Sequence, residues 1–301
     1  MLMNILKNFD LAIANTETLP SGYQIENRTY NSYLSNQAWE AHLAEMSETH
    51  RCQYGDGSGG ELTEKNGRPP KMASFASSSR MIYNLSKDVP GFVFEKQLPT
   101  VIGGVANLDG YLENGQNLIF VEAKCREPYS HTAIQTIKKN YKPVYAYLRE
   151  KMPGVFSCVM EDIPDTRDMR VAFFCKGQAV AAFDMKQMIC HLLGVANEML
   201  RSGSEKAVLF LYLLFNPGQL RISPESKQEI SGIYEQTCRT ANSCHFEEMF
   251  GHILDFLVQK NGVAMEPLQL LRLKASFRFA LCDQNDYKSY LGCRKEGPAR
   301  K

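Results

Sequence analysis

The chain has 301 residues, 44% of them apolar and 22% charged, the balance of a folded globular protein and not of a disordered one. A net charge of +1 excludes a surface that is basic all over, so contact with nucleic acid has to come from a local patch. Nine scattered cysteines without a C-x-x-C pair predict reduced thiols; with no basic-then-apolar leader and only Val208 to Phe215 as an apolar run, the expectation is a cytoplasmic protein without membrane contact.

Residues 1–50 read as mostly helical, with Trp39, Leu43 and Met46 at helical spacing. The stretch from Tyr54 to Pro70, rich in Gly, Asp and Pro, reads as a surface loop. Within it, Gly55-Asp56-Gly57-Ser58-Gly59-Gly60 matches the dinucleotide fingerprint in letters only. No apolar strand precedes it, and Pro69-Pro70 bars a packed helix after it. Ser77-Ser78-Ser79 is set to cap a short helix through Leu85; free backbone N–H groups there, with Ser79 and Arg80, make a candidate phosphate contact. Phe92 to Leu98 reads as a strand ended by Pro99.

The next two strands carry the chemistry. Asn107 to Tyr111 and Asn117 to Lys124 flank Asn114-Gly115, the signal for a two-residue type I′ turn. That turn sets Glu113 against Gln116 and Asp109 against Phe120, and alternation then puts Asp109, Glu122 and Lys124 on one face. Ile119, Val121 and Ala123 point the other way, into a core. Asp109 and Glu122 become diagonal neighbours roughly 5–7 Å apart, a gap one divalent cation can bridge. Mg²⁺, with Mn²⁺ as a substitute, takes oxygen ligands and keeps waters, so Asp109, Glu122 and the Ala123 carbonyl are its candidate ligands. Lys124 would orient or deprotonate a water, or stabilise the charge that grows on a phosphate.

Ser130 is expected to cap a helix from about His131 to Lys151, apolar at Ile134, Ile137, Tyr141, Val144 and Leu148. Its other face would show Gln135, Lys138, Lys142 and Arg149, either a solvated surface or a row of phosphate contacts beside the site. Met169 to Phe174 reads as a strand, Asp184 to Arg201 as a helix and Lys206 to Phe215 as a strand apolar on both faces, which predicts a right-handed crossover and a parallel pair. His191 reads as a core or surface histidine of that helix. Helices follow from Ser223 to about Ala241 and from Phe246 to Lys260, and the basic stretches Arg272 to Arg278 and Arg294 to Lys301 read as a solubilising end. Cys238, Cys244, His245 and His252 match no zinc-site spacing and read as ordinary helix and core residues.

Leu108-Asp109, followed thirteen positions on by Glu122-Ala123-Lys124, resembles the signature of the PD-(D/E)XK nuclease superfamily, which includes type II restriction endonucleases. The resemblance covers residues 76–215, with Leu108 in place of the family's proline. It implies Asp109 and Glu122 as metal ligands, Lys124 as the catalytic lysine and Gln135 as the glutamine some members carry on the following helix. The acid that the early helix often contributes is missing from Ser77–Leu85, and Glu95 or Glu45 would have to replace it.

The expectation is one domain of α/β class: a restriction endonuclease-like mixed sheet flanked by helices over residues 76–215. A mostly helical extension over 1–75 and a helical region over 216–301 would complete it. The expected function is metal-dependent hydrolysis of DNA, as an endonuclease of restriction or defence type, with a homodimer compatible with double-strand cutting. The rivals are a catalytically inactive nucleic-acid-binding protein with the same fold, and an interaction protein whose hairpin is ordinary surface.

Overall fold

The computed structural model describes residues 9–292, apart from residues 11, 17, 57–59, 131, 221 and 262–264. The N-terminal part is less helical than the spacing of Trp39, Leu43 and Met46 predicts. A hairpin, β1 (Ser21–Ile25) and β2 (Arg28–Leu34), comes first, because Tyr23, Thr29, Tyr30 and Tyr33 favour strand and Glu26 takes a positive φ at the turn. Helices α1 (Asn36–Glu45), α2 (Glu48–Asp56) and α3 (Ser78–Ser86) follow, the last capped as expected by the Ser77 hydroxyl, which accepts from the Arg80 N–H. The Gly55–Gly60 motif falls partly on the end of α2 and partly outside the described residues.

Next come β3 (Val93–Pro99), β4 (Val105–Asn114) and β5 (Asn117–Lys124), an antiparallel meander. The expected helix over 131–151 is two elements: strand β6 (Ile134–Lys138) and helix α4 (Lys142–Lys151), with His131 outside the described residues. Ile134, Thr136 and Ile137 are β-branched, and Pro143 suits only a helix's first turn, so the α-helix starts there. Strands β7 (Phe156–Asp162), β8 (Asp168–Cys175) and β9 (Gln178–Ala179) join β6 in a separate antiparallel sheet. Helix α5 (Met185–Ser202), capped by Asp184 and closed by Gly203 at φ +60°, leads to β10 (Ala207–Leu214).

The chain continues through α6 (Pro224–Ser243), α7 (Phe246–Asn261), α8 (Pro267–Ser276) and β11 (Phe277–Cys282). Residues 272–278, expected in a solubilising end, thus end one helix and begin a strand; Arg294 to Lys301 lie outside the described residues. The central sheet runs β11-β10-β5-β4-β3. It is mixed, as expected, but β10 is parallel to β5 and β11, whereas the expected partner β8 belongs to the other sheet.

One core lies on each face of the central sheet. Leu118, Phe120, Val208 and Phe210 pack against α4, α5 and α7, while Ile119, Val121, Ala123 and Leu211 pack against α3 and the N-terminal part. Cys175 and Cys244 form a buried disulfide, which corrects the expectation that every thiol is reduced and removes Cys244 from any metal set. Among the described residues no helix is long and apolar enough to cross a membrane.

Candidate active site

The hairpin turn is centred one residue later than the sequence predicts. Asn114 pairs with Asn117, Gly115 and Gln116 form the loop, and among the two only Gly115 has a positive φ, +45°. The ladder therefore slips by two positions, with Tyr111 rather than Asp109 opposite Phe120. A slip of two preserves side-chain parity, so Glu122 and Lys124 keep the face of Phe120.

Asp109 stands where the regular ladder breaks. The β4–β5 pairing stops at Gly110–Val121, and the β3–β4 pairing omits Glu95–Asp109. Glu95 has φ +52°, a conformation uncommon for a side chain of its kind. Across this point alternation reverses in both strands: Leu108 and Leu98 belong to the α5-side core, Leu112 and Phe94 to the opposite one. Freed from the ladder, the Asp109 carboxylate accepts the backbone N–H of Ala123 at 2.7 Å, which anchors it beside Glu122.

Glu122 and Lys124 are buried, 2% and 5% exposed, so every charge on them has to be answered by a neighbour. Lys124 forms an ion pair with Glu122 Oε1 and donates to Gln187 Oε1 at 2.7 Å. The Glu122 Oε2 atom lies 3.3 Å from His191 Nδ1, and neither Glu122 oxygen receives a well-directed hydrogen bond. His191 also hydrogen-bonds the backbone at Asn107, so it ties α5 to both strands that bear the carboxylates.

Burial, reinforced by Glu122 and Glu127 and opposed by Lys124, pushes the Asp109 carboxyl well above its usual range. Burial also raises Glu122 to about 7, against the pull of Lys124. For Lys124, burial acts downward but Glu122, Glu127, Tyr212 and Asp109 outweigh it, so the ammonium is held well above its ordinary value. His191 is lowered to about 3, first by burial and then by Lys124, and is neutral. The site is short of positive charge. The unsatisfied oxygens of Glu122 beside the Asp109 carboxyl fit the chemistry of a divalent cation with oxygen ligands, for which Asp109, Glu122 and the expected Ala123 carbonyl are the candidates. Among the described residues no three His, Cys, Asp or Glu side chains converge into a preformed cage. Mg²⁺ needs none, since it keeps several waters.

A cavity of about 390 Å³ opens over Asp109 and Lys124. Glu95 lines it, as do Glu61 and Glu127, while Glu45 is exposed on α1 and is not among its walls. Ser79 also lines it, through a residue whose carbonyl accepts from Tyr54; Arg80 instead is buried against the Phe75 ring at 4.9 Å. Gln135 is not on a helix: its side chain accepts from the Lys186 N–H at 3.1 Å and donates to the Phe183 carbonyl at 3.4 Å, fixing the start of α5. The glutamine that meets Lys124 is Gln187. Lys138 lines a second cavity and pairs with Asp168 at 3.0 Å, whereas Lys142 pairs with Asp162 at 3.2 Å outside both cavities.

Sequence reasoning missed Gln187, Glu61 and Glu127, and read His191 as a core or surface histidine, which its burial on α5 bears out without foretelling its contact with Glu122. Two polar residues four apart on the core face of an otherwise apolar helix were the available signal for Gln187 and His191. No family model matches the chain, and no curated protein or solved structure matches it.

Proposed function

We propose that the chain is a metal-dependent nuclease of the restriction endonuclease-like class that hydrolyses DNA phosphodiester bonds at Asp109, Glu122 and Lys124. The observation that carries this reading is the trio itself: the carboxyls of Asp109 and Glu122, both raised by desolvation, beside a lysine held as a cation, with Asp109 and Lys124 lining a cavity. Mg²⁺ or Mn²⁺ held there would lower the pKa of a bound water and polarise the phosphate.

The chain's own groups do the rest. Asp109 is fixed by the Ala123 N–H and Glu122 by Lys124 and His191, so neither carboxylate has to reorganise. An ammonium has three donors; Glu122 and Gln187 occupy two, which leaves the third to a phosphate oxygen. A lysine whose pKa is raised is poorly suited to act as a base, so Lys124 serves to stabilise the charge of the pentavalent phosphate and the leaving oxygen. Glu95, across the break from Asp109 and lining the same cavity, supplies the further acid that the early helix lacks.

The test incubates the protein with plasmid, linear and single-stranded DNA, in Mg²⁺ and in EDTA. Wild type cuts only with the metal, and Glu122→Ala and Lys124→Ala each slow cutting at least about 10²–10³-fold. Equal cutting by wild type and variants would show that another protein is responsible and remove the assignment.

A further inference from the structure

Two cavities meet at the proposed site. The first, about 390 Å³, and the second, about 430 Å³, share Asn107 and Gln187 as a common wall. Tyr33, Lys71, Lys124 and Arg126 line the first, and Tyr141, Lys138 and Lys186 the second. Lys124, bonded to Gln187, stands at the junction.

We propose that the substrate enters these two cavities as a single DNA strand, with the scissile phosphate at Lys124 and flanking phosphates on the cations of either side. The placing of the scissile phosphate rests on the nuclease reading; the strand path does not. Size is the first argument. Cavities of about 300–1,000 Å³ enclose a ligand of drug size, which a nucleotide is and a duplex is not. Part of the wall comes from Tyr33, Glu61 and Lys71 of the N-terminal part, which narrows the approach to Asp109.

Chemistry is the second argument. Cations that follow a backbone, with a ring on which a base stacks, are how single strands are held without regard to sequence; half-buried Tyr33 offers such a ring, whereas Tyr141 is packed on Tyr145 in the core and serves as wall. The cations have acidic partners, Lys71 with Glu61 at 2.6 Å, Arg126 with Asp10 at 3.0 Å and Lys138 with Asp168 at 3.0 Å. The Lys138–Asp168 pair is open to water on both sides, 65% and 32% exposed, and weak enough for a phosphate to replace the acid; Lys71 and Arg126 are 57% and 46% exposed and keep their largely buried acids while turning another donor to a phosphate. Of the acids that line the cavities, Asp109 is the one assigned to the proposed cation.

Fluorescence anisotropy in Ca²⁺ tests the path, using one labelled oligonucleotide as a single strand and the same sequence within a blunt duplex. The single strand is expected to bind about tenfold tighter or more, the equivalent of one stacked base. Lys138→Glu combined with Lys186→Glu weakens that binding and lowers the slope of log K against log salt by about 1.4, two phosphate contacts' worth. Lys142→Glu, outside both cavities, leaves the slope in place. Duplex binding as tight as single-strand binding, or a double variant that behaves like Lys142→Glu, overturns the proposal. Selective single-strand binding without cutting in Mg²⁺ upholds the path and removes the nuclease reading. Cutting of DNA with no preference for single strands does the reverse.

Discussion

Burial acts on Glu122 and His42 in the same physical sense, against charge, and so moves their pKa values in opposite directions. For Glu122 the cost sits at the proposed site, where a cation would relieve it. For His42 the Glu45 carboxylate opposes the shift without cancelling it. The His42 ring is stacked on Trp39 at 5.5 Å and meets the edge of Tyr83 at 5.4 Å, its Nε2 has no hydrogen-bond partner, and burial followed by Arg80 lowers its pKa below 6.5. The unfolded chain then takes up a proton at a higher pH than the folded one does. Stability from this residue is intact above the unfolded value and falls as the pH drops through it. Melting curves at about pH 7.5 and about pH 5 should therefore show a smaller acid-induced drop in His42→Phe than in wild type. Equal drops would mean that His42 stays neutral in both states.

At the scale of elements, α5 organises the site. Gln187, His191 and Gly194 lie at spacings of four and three on one face, and meet Lys124, Glu122 and the strands β3 and β4 in turn. A Cβ on Gly194 would come within 2.8 Å of Ala106 Cβ and 3.0 Å of Leu98 Cβ. Gly194→Ala gains up to about 1 kcal/mol in helix propensity but forces the helix off the sheet, a strain of about 1–3 kcal/mol. The expected outcome is a lower melting temperature together with weaker cutting, because the shift also draws His191 from Glu122. A variant as stable and active as wild type would show that α5 is free to move.

The span of α5 was legible from local signals, expected from Asp184 to Arg201 and found at Met185–Ser202. The pairing of β10 was not, because an apolar run says that a strand is covered without saying by which neighbour. Ile134 and Ile137 satisfied a helical stripe as readily as a strand, and only Pro143 marked where the helix begins. The shared face of Glu122 and Lys124 was legible because they are two apart on one strand; Asp109 joins them at a break in the ladder, which the turn signal does not encode.

For the molecule as a whole, the expected boundaries over 76–215 understate what builds the site. The N-terminal part contributes Tyr33, Glu61 and Lys71 to the cavity wall, and β11 extends the sheet beyond β10. These are contacts between distant segments, which neither periodicity nor spacing encodes. The Cys175–Cys244 bond closes a separation of 69 residues between β8 and the α6–α7 junction, a restraint on the unfolded chain of about 4 kcal/mol in the loop-entropy view. A framework tied in this way can carry the desolvated carboxyls of Asp109 and Glu122, which it would be more stable without. On the proposed reading, a cation bound at the pair offsets that cost. The direct measurement is a Mn²⁺ titration by electron paramagnetic resonance on wild type and on Asp109→Asn, whose amide oxygen can still accept the Ala123 N–H. Wild type is expected to bind Mn²⁺ in competition with Mg²⁺, and Asp109→Asn to bind it at least about 100-fold more weakly. Unchanged affinity in the variant, or no binding by wild type, would contradict a metal-dependent site at Asp109 and Glu122.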